Sequence, residues 1–133
     1  MIGKELEEKS AASQRPPTPI NAPFLEFDLR SQIELLRGEE RYQQGHTSKT
    51  LAKYPDFRLV LMVIKAGTRI PRHTAAGRIS VQTIAGHIRM YVGEKLLDLP
   101  AGRLLVIDQE ISHDVQAVED SALLLTVAWP ENR

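Results

Sequence analysis

From Thr47 onward the chain is a series of short runs rich in Val, Ile, Leu and Thr, separated by Gly and Pro. Such runs are typical of antiparallel strands, because β-branched residues fit a pleated sheet and Gly and Pro fit the turns between strands. Short strands without a long helix predict an all-β fold, a small antiparallel β-barrel or jelly roll. The predicted strands comprise residues 49–53, 58–65, 69–73, 79–85, 88–92, 95–99, 104–107, 112–117 and 122–128.

The run from Leu59 to Ile64 is apolar at every position, without alternation. A strand with this pattern is covered on both faces. We expect the barrel interior on one face and a second sheet or subunit on the other, and a homodimer would supply that cover. Tight turns are indicated at residues 86–87, 93–94 and 100–102, which predicts a meander of hairpins in the middle of the chain.

The N-terminal part of the chain has a different composition. Residues 1–23 contain Pro16, Pro17, Pro19 and Pro23, and because proline removes backbone hydrogen bonds we expect a flexible N-terminal tail. A short helix is predicted over about residues 29–38, since apolar residues recur there at helical spacing after a candidate cap, Asp28. Residues 24–133 are expected to form one domain, because a chain of 133 residues provides a single core of ordinary size.

The charge balance narrows the class of partner. Lys plus Arg number 17 and Asp plus Glu number 17, so no net field attracts nucleic acid or an anionic membrane, and a small molecule is the expected partner. The absence of cysteine excludes disulfides, thiolate metal sites and cysteine nucleophiles. The first residues are charged, unlike a signal peptide, and no segment has membrane-spanning length, so we expect a cytoplasmic protein.

Two glycines and a histidine have a characteristic spacing. Gly67 is followed after five residues by His73, and Gly86 closes the segment six residues after Ile79. This spacing resembles the first motif of the cupin family, which reads Gly, five residues, His-x-His, three or four residues, Glu, six residues, Gly. The second histidine of the motif is replaced by Ala75 and the glutamate by Ile79.

A second segment resembles the other cupin motif, which reads Gly, five residues, Pro-x-Gly, two residues, His, three residues, Asn. Gly102 and His113 match, whereas Asp108, Glu110 and Ala117 stand at the remaining positions. The resemblance covers about residues 58–128 and implies a cupin-like barrel, similar to small bacterial single-domain members of the family. Only half of the family's metal ligands are present.

Strand alternation allows the lining of the barrel to be predicted. Residues two apart share a face, so the side chains of the first motif project inward with His73, and the family pattern brings His113 from a neighbouring strand. Ala and Ile in place of two ligands make the cavity larger and drier, which favours an apolar or amphipathic small molecule. The predicted ligand-binding residues are His73, His113, Ala75, Ile79 and Thr83.

Three functions remain open at this point. The first is a regulatory or sensory protein that binds an organic ligand without a catalytic metal, since His73 and His113 supply only two of the about three protein ligands such a metal needs. The second is a dioxygenase or isomerase whose divalent metal on the two histidines is completed by water, substrate or a carboxylate, with Asp108, Glu110 and Asp114 as candidates. The third is an interaction module without a ligand. We favour no cofactor, and whether the chain is an enzyme stays open.

Several arginines flank the strands nearest His73. A cluster of guanidinium groups from Arg58, Arg72 and Arg78 at a barrel mouth would suit a carboxylate ligand, because each can form paired hydrogen bonds. By alternation Arg72 and Arg78 face away from His73, so we expect them on the surface.

Three other residues are expected to have structural or solvated positions. His87 follows Gly86 in a predicted turn and should be exposed. His46 is in a polar loop before the first strand and should be solvated, although it could reach over a barrel mouth. Trp129, near the end of the last strand, is expected in the core or at a dimer interface.

Overall fold

The computed structural model describes Arg15 and residues 19–130. This part of the chain forms two short helices followed by strands, in agreement with the predicted all-β class. The helices are α1 (Leu29–Arg37) and α2 (Glu40–Gln43), and the strands are β1 (His46–Tyr54), β2 (Phe57–Ile64), β3 (Arg69–His73), β4 (Arg78–Ala85), β5 (His87–Val92), β6 (Lys95–Pro100), β7 (Leu104–Ile107), β8 (His113–Ala117) and β9 (Ser121–Ala128).

The strands form two antiparallel sheets. One has the order β1-β2-β9-β4-β7 and the other the order β3-β8-β5-β6. This is the arrangement of a jelly roll, with β1 added beside β2. The predicted meander of hairpins is wrong for two of its three turns, because β4 and β5, and likewise β6 and β7, lie in different sheets. Of these three turns, the one at residues 93–94 alone closes a hairpin, between β5 and β6.

The larger hydrophobic core lies between the two sheets. Both sheets present the inward-facing half of their alternating residues to this space. The buried members are Ile64, Ile79, Val81, Ile88, Met90, Leu99, Ile107, Val115, Ala117, Leu123 and Val127. The members of this core show which face of each strand points inward. The same alternation then shows which polar side chains of each strand point inward.

A second core covers the outer face of β2. Leu61 and Val63 are fully buried there against α1, through Ile33 and Leu36. The expectation that residues 59–64 are covered on both faces is confirmed, but the cover is the chain's own N-terminal helix rather than a second sheet or subunit. The apolar pattern that suggested a homodimer is thus satisfied within one chain. The homodimer itself stays a prediction.

Helix α1 begins and ends as its sequence predicts. The side chain of Asp28 accepts a hydrogen bond from the backbone N–H of Ser31 (3.2 Å), which satisfies one of the free donors at the helix start. Strand β1 begins earlier than predicted, since His46 already pairs with Ile64. The placement of His46 in a loop was therefore wrong, although its side chain is exposed as expected.

The predicted flexible tail, residues 1–23, lies mostly outside the described residues. The described part contacts β1. The carbonyl of Ile20 accepts a hydrogen bond from the backbone N–H of Lys53 (2.8 Å), and the hydroxyl of Tyr54 donates to the carbonyl of Ala22 (2.7 Å). Arg15 pairs with Glu39 (2.7 Å). No helix in the described part of the chain is both long and apolar enough to cross a membrane.

Gly86 marks the point where the chain crosses from one sheet to the other. Its φ of 80° lies in the left-handed region, and a Cβ at this position would collide with the carbonyl oxygen of Asp120. Glycine is therefore required both by the backbone angle and by the close approach. The next residue, His87, is the first residue of β5 and its ring contacts the carboxylate of Asp98 (2.5 Å), so the prediction of an exposed turn histidine was wrong.

Candidate functional site

His73 and His113 meet at one end of the space between the sheets. They are directly paired residues on β3 and β8. Their rings are 4.3 Å apart between centroids and inclined at 65°. The structure therefore brings together the two histidines that the motif spacing singled out, although they are 40 positions apart in the chain.

A β-bulge in β3 turns His73 toward this space. Ile70 pairs with Val115 and His73 pairs with His113, so three steps along β3 match two steps along β8. Without the extra residue, alternation from the inward Ile70 would direct Arg72 inward and His73 outward. Pro71 lies in the bulge, on an edge strand, where proline removes no ladder hydrogen bond.

Each histidine ring is held by the same kind of contact, from its Nδ1 to the backbone carbonyl two residues earlier. Nδ1 of His73 lies 3.0 Å from the carbonyl oxygen of Pro71, and Nδ1 of His113 lies 3.0 Å from the carbonyl oxygen of Ile111. A carbonyl only accepts hydrogen bonds, so each Nδ1 carries the proton. In the neutral ring Nε2 then keeps a lone pair, available to a hydrogen-bond donor or a metal.

The two rings differ in their surroundings. His113 is 3% exposed, whereas His73 is exposed. Burial lowers the pKa of His113 below its ordinary value of 6.5, and the neighbouring His73 lowers it further, in spite of the carbonyl of Ile111 and the carboxylate of Asp114. His113 is therefore neutral near pH 7, and its ring lies between the hydrophobic core and the solvent-exposed ring of His73.

The other predicted ligand-binding residues lie at different depths. Ala75 is half-buried and packs against the core between the sheets. Ile79 is 4% exposed and belongs to that core. Thr83 is 1% exposed, and its hydroxyl donates to the carbonyl of Leu99 (3.0 Å). Thr83 follows Ile79 by four residues along β4, about 13 Å toward the opposite end, so the structure does not bring it to the histidines.

Two of the three predicted carboxylates near His113 are engaged elsewhere, whereas Glu110 is exposed and its backbone N–H donates to the carbonyl of Ala75 (3.0 Å). Asp108 pairs with Arg78 (2.9 Å) on the surface. Asp114 is buried on the face of β8 opposite to His113, where it pairs with Arg69 (2.8 Å) and accepts the backbone N–H of Tyr91 (2.8 Å). The described residues include no group of three or more His, Cys, Asp or Glu that could hold a metal ion. The two imidazoles alone do not form the three-ligand set that a catalytic metal generally uses.

Arg58 is the one member of the predicted arginine cluster that faces inward. It pairs with Val127, a member of the core between the sheets, and paired residues share a face. Its guanidinium carbon lies 5.2 Å from the ring centroid of Trp129. Arg72 and Arg78 are exposed as expected. The sequence did not predict which face Arg58 occupies. Arg58 is four residues before Met62 in β2 and therefore faces the same side as Met62, which packs against the core between the sheets.

Trp129 is half-buried and packs against the core between the sheets, in agreement with one of its two predicted positions. Its backbone N–H donates to the carbonyl of Asp56 (3.0 Å). This contact ties the segment after β9 to the turn between β1 and β2. The ring is thereby held at the same end of the sheets as the histidine pair.

No protein-family model and no curated protein matches this chain, but solved structures do. A Cupin 2 conserved barrel domain protein from Leptotrichia buccalis is 25% identical, with a TM-score of 0.66 over 77% of this chain and 47% of that chain. A cupin superfamily protein from Desulfitobacterium hafniense is 16% identical, with a TM-score of 0.69 over 86% of this chain and 100% of that chain. A salicylate 1,2-dioxygenase variant from Pseudoaminobacter salicylatoxidans is 14% identical, with a TM-score of 0.73 over 84% of this chain and 37% of that chain. These similarities establish the fold.

Proposed function

This chain has the fold of the cupin superfamily, and from that premise we propose that it binds a small organic molecule where His73 and His113 meet. The observation that carries the proposal is the pair of Nδ1 contacts to backbone carbonyls, which leaves both Nε2 atoms as acceptors. Two fixed acceptors beside an apolar core are typical of a small-molecule site, where a few polar groups orient a largely apolar ligand.

The ligand chemistry follows from the state of the two rings. A neutral imidazole with its proton on Nδ1 accepts a hydrogen bond at Nε2, so a hydroxyl or amide N–H of the ligand is the matching group. Ala75, in the loop after β3, and Ile79, on β4, supply apolar surface. We propose binding rather than catalysis, since the donor set at this site does not fit a catalytic metal.

A metal-dependent enzyme of the dioxygenase or isomerase type is the second candidate. The same Nε2 atoms that would accept hydrogen bonds could be two ligands of a divalent metal, and Nδ1 contacts to carbonyls are the usual second contact of metal-binding histidines. This candidate needs a further ligand from water, substrate or Glu110, because the carboxylates of Asp108 and Asp114 pair with arginines. Cytoplasmic location stays a prediction.

The two candidates are separated by metal analysis combined with a ligand screen on the purified full chain. We expect substoichiometric metal, and we expect small alcohols and amides to shift the ring resonances of His73 and His113. His113→Gln should abolish the shift of the remaining His73 ring resonances, whereas His46→Gln should leave the shifts of both rings unchanged, since His46 lies at the opposite end and is exposed. Near-stoichiometric Fe, Mn, Ni, Cu or Zn that is lost in His73→Ala or His113→Ala would overturn the proposal in favour of the metal enzyme.

A further inference from the structure

Arg58 has an unusual position for an arginine. It lies on the inner face of β2, paired with Val127, where the neighbouring inward residues are apolar. Its Nε atom is buried and has no hydrogen-bond partner. Arg58 as a whole is half-buried. A guanidinium is always charged in proteins, and a buried N–H donor of a charged group is unfavourable when it lacks an acceptor.

No carboxylate of the described chain compensates this charge. The ion pairs found among the described residues do not include Arg58. Asp56, two residues away, contributes its backbone carbonyl to the N–H of Trp129 instead. The described contact of the guanidinium is with the ring of Trp129, 5.2 Å away. Such stacking fixes the plane of the group and leaves its in-plane N–H donors for another partner.

The topology places Arg58 at the histidine end of the molecule. β2 and β3 are consecutive strands in opposite sheets. Arg58 is the second residue of β2 and His73 the last residue of β3. Because the chain runs away from this end along β2 and returns to it along β3, the guanidinium and the histidine pair border the same end of the space between the sheets.

We propose that Arg58 binds the carboxylate of the ligand, so that the site takes small organic carboxylates. This inference rests on the proposed function, since it assigns the chemical class of the molecule that contacts the histidines. A carboxylate offers two oxygens to the Nε and Nη donors on one edge of the guanidinium, which is the pairing for which arginine is best suited. The rest of the ligand then extends toward Nε2 of His113.

Binding of a carboxylate at this edge should change the environment of the Trp129 ring, which contacts the guanidinium. Nε is buried in the free chain, so a carboxylate reaches it only when the Arg58 side chain shifts relative to the indole. Trp129 is the only tryptophan of the protein. Its fluorescence therefore reports this position, and the Nε–H resonance of Arg58 reports the hydrogen bond itself.

The experiment titrates the full chain with three carboxylates and their matched amides: acetate and acetamide, isobutyrate and isobutyramide, benzoate and benzamide. Ionic strength is held constant, because weak charge attraction depends on it. We expect at least one carboxylate to change Trp129 fluorescence saturably and to shift the Arg58 Nε–H resonance. Its amide should bind at least about tenfold more weakly, the loss expected for one charge-assisted hydrogen bond.

Variants separate the charge of Arg58 from its geometry. Arg58→Lys keeps the charge but loses the paired donors and should weaken carboxylate binding about tenfold, and Arg58→Gln should abolish it. Arg78→Gln is the matched control, because Arg78 is exposed and pairs with Asp108, and it should bind as the unmodified chain does. Thermal unfolding of each variant verifies that it folds.

Two results would overturn the inference. Carboxylates that bind equally well to Arg58→Gln, or amides that bind as tightly as carboxylates, would exclude Arg58 as the anchor. If those compounds still shift the ring resonances of His113, the proposed function stands and only the assignment of the carboxylate fails. If no compound perturbs His113, Trp129 or Arg58, both proposals are wrong for these ligand classes.

Discussion

The two ends of the space between the sheets use polar side chains in different ways. At the end near Gly86, Thr83 donates to the carbonyl of Leu99, and the buried Ser121 donates to backbone carbonyls while accepting the N–H of His87. At the other end, His73 and His113 use Nδ1 to fix their rings and keep Nε2 available. Polar groups therefore stabilise the fold at one end, whereas at the other end two ring nitrogens remain as hydrogen-bond acceptors.

The largest expected effect on stability is at the end near Gly86. Gly86→Ala should lower the free energy of unfolding by about 3 kcal/mol, because it combines an unfavourable positive φ with a collision against the backbone of Asp120. Gly102→Ala is the matched control. Gly102 also has a positive φ but open space around a Cβ, and its cost should be about 1 kcal/mol.

Urea unfolding of both variants measures this difference. Equal losses of stability in the two variants would show that the close approach at Gly86 contributes nothing beyond the backbone angle. The contacts of the end near Gly86 would then contribute less to stability than their short distances suggest.

A smaller loss is expected at Thr83. Thr83→Val keeps the shape of the side chain but leaves the carbonyl of Leu99 without its donor, which should cost about 1–2 kcal/mol of unfolding free energy. Any ligand bound at the histidines should bind unchanged, because Thr83 is about 13 Å from Ile79 along β4. Loss of binding together with unchanged stability would return Thr83 to the site and contradict the comparison.

The pH dependence of stability should distinguish His113 from an exposed histidine. Its pKa is lowered in the folded chain, so the unfolded chain binds the proton more readily. The contribution of the neutral buried ring is complete above the ordinary pKa of 6.5 and declines as pH falls through 6.5 toward the lower folded pKa.

Urea unfolding from about pH 7.5 to about pH 5 should therefore show a steeper loss of stability for the unmodified chain than for His113→Gln. The pKa of His46 is also lowered, by burial and by the neighbouring Arg41, so His46→Gln measures the separate contribution of that ring to the pH profile. Identical pH profiles for the unmodified chain and His113→Gln would show that the ring is solvated rather than buried.

The smallest change in stability is expected for His73→Gln. His73 is exposed, and a surface substitution of this kind changes the unfolding free energy by less than about 0.5 kcal/mol. The pKa of His113 should nevertheless rise, since the charge of His73 contributes to lowering it. Titration of the His113 ring by NMR measures this shift. An unchanged pKa would mean that the two rings do not interact in solution.

Much of the fold could be predicted from local sequence patterns. The β-rich runs locate the strands to within a few residues, because side-chain alternation and turn residues act locally. The choice of sheet for each strand could not be predicted, since residues 86 and 101–102 look the same whether they close a hairpin or cross between sheets. The pairing of His87 with Asp98 likewise depends on which strands become neighbours.

The candidate site was predictable in its histidines but not in the other residues that the structure places near them. The motif spacing identified His73 and His113, and the structure pairs them. The bulge at Pro71 could not be anticipated, since alternation alone gives opposite faces to Ile70 and His73. Arg58 could have been placed inward from the parity of Met62 in the same strand. The sequence alone does not show that Met62 faces inward, because residues 59–64 are all apolar and show no alternation.

The protonation state of the two rings tests the central claim most directly. We predict that long-range 1H–15N NMR spectra show, for the neutral form of each ring of the pair, the proton on Nδ1 and an unprotonated Nε2. This result would establish two available acceptors at one end of the sheets, as the contacts to the carbonyls of Pro71 and Ile111 require. A proton on Nε2 of either neutral ring would contradict the account, because that ring would then present a donor instead of the acceptor.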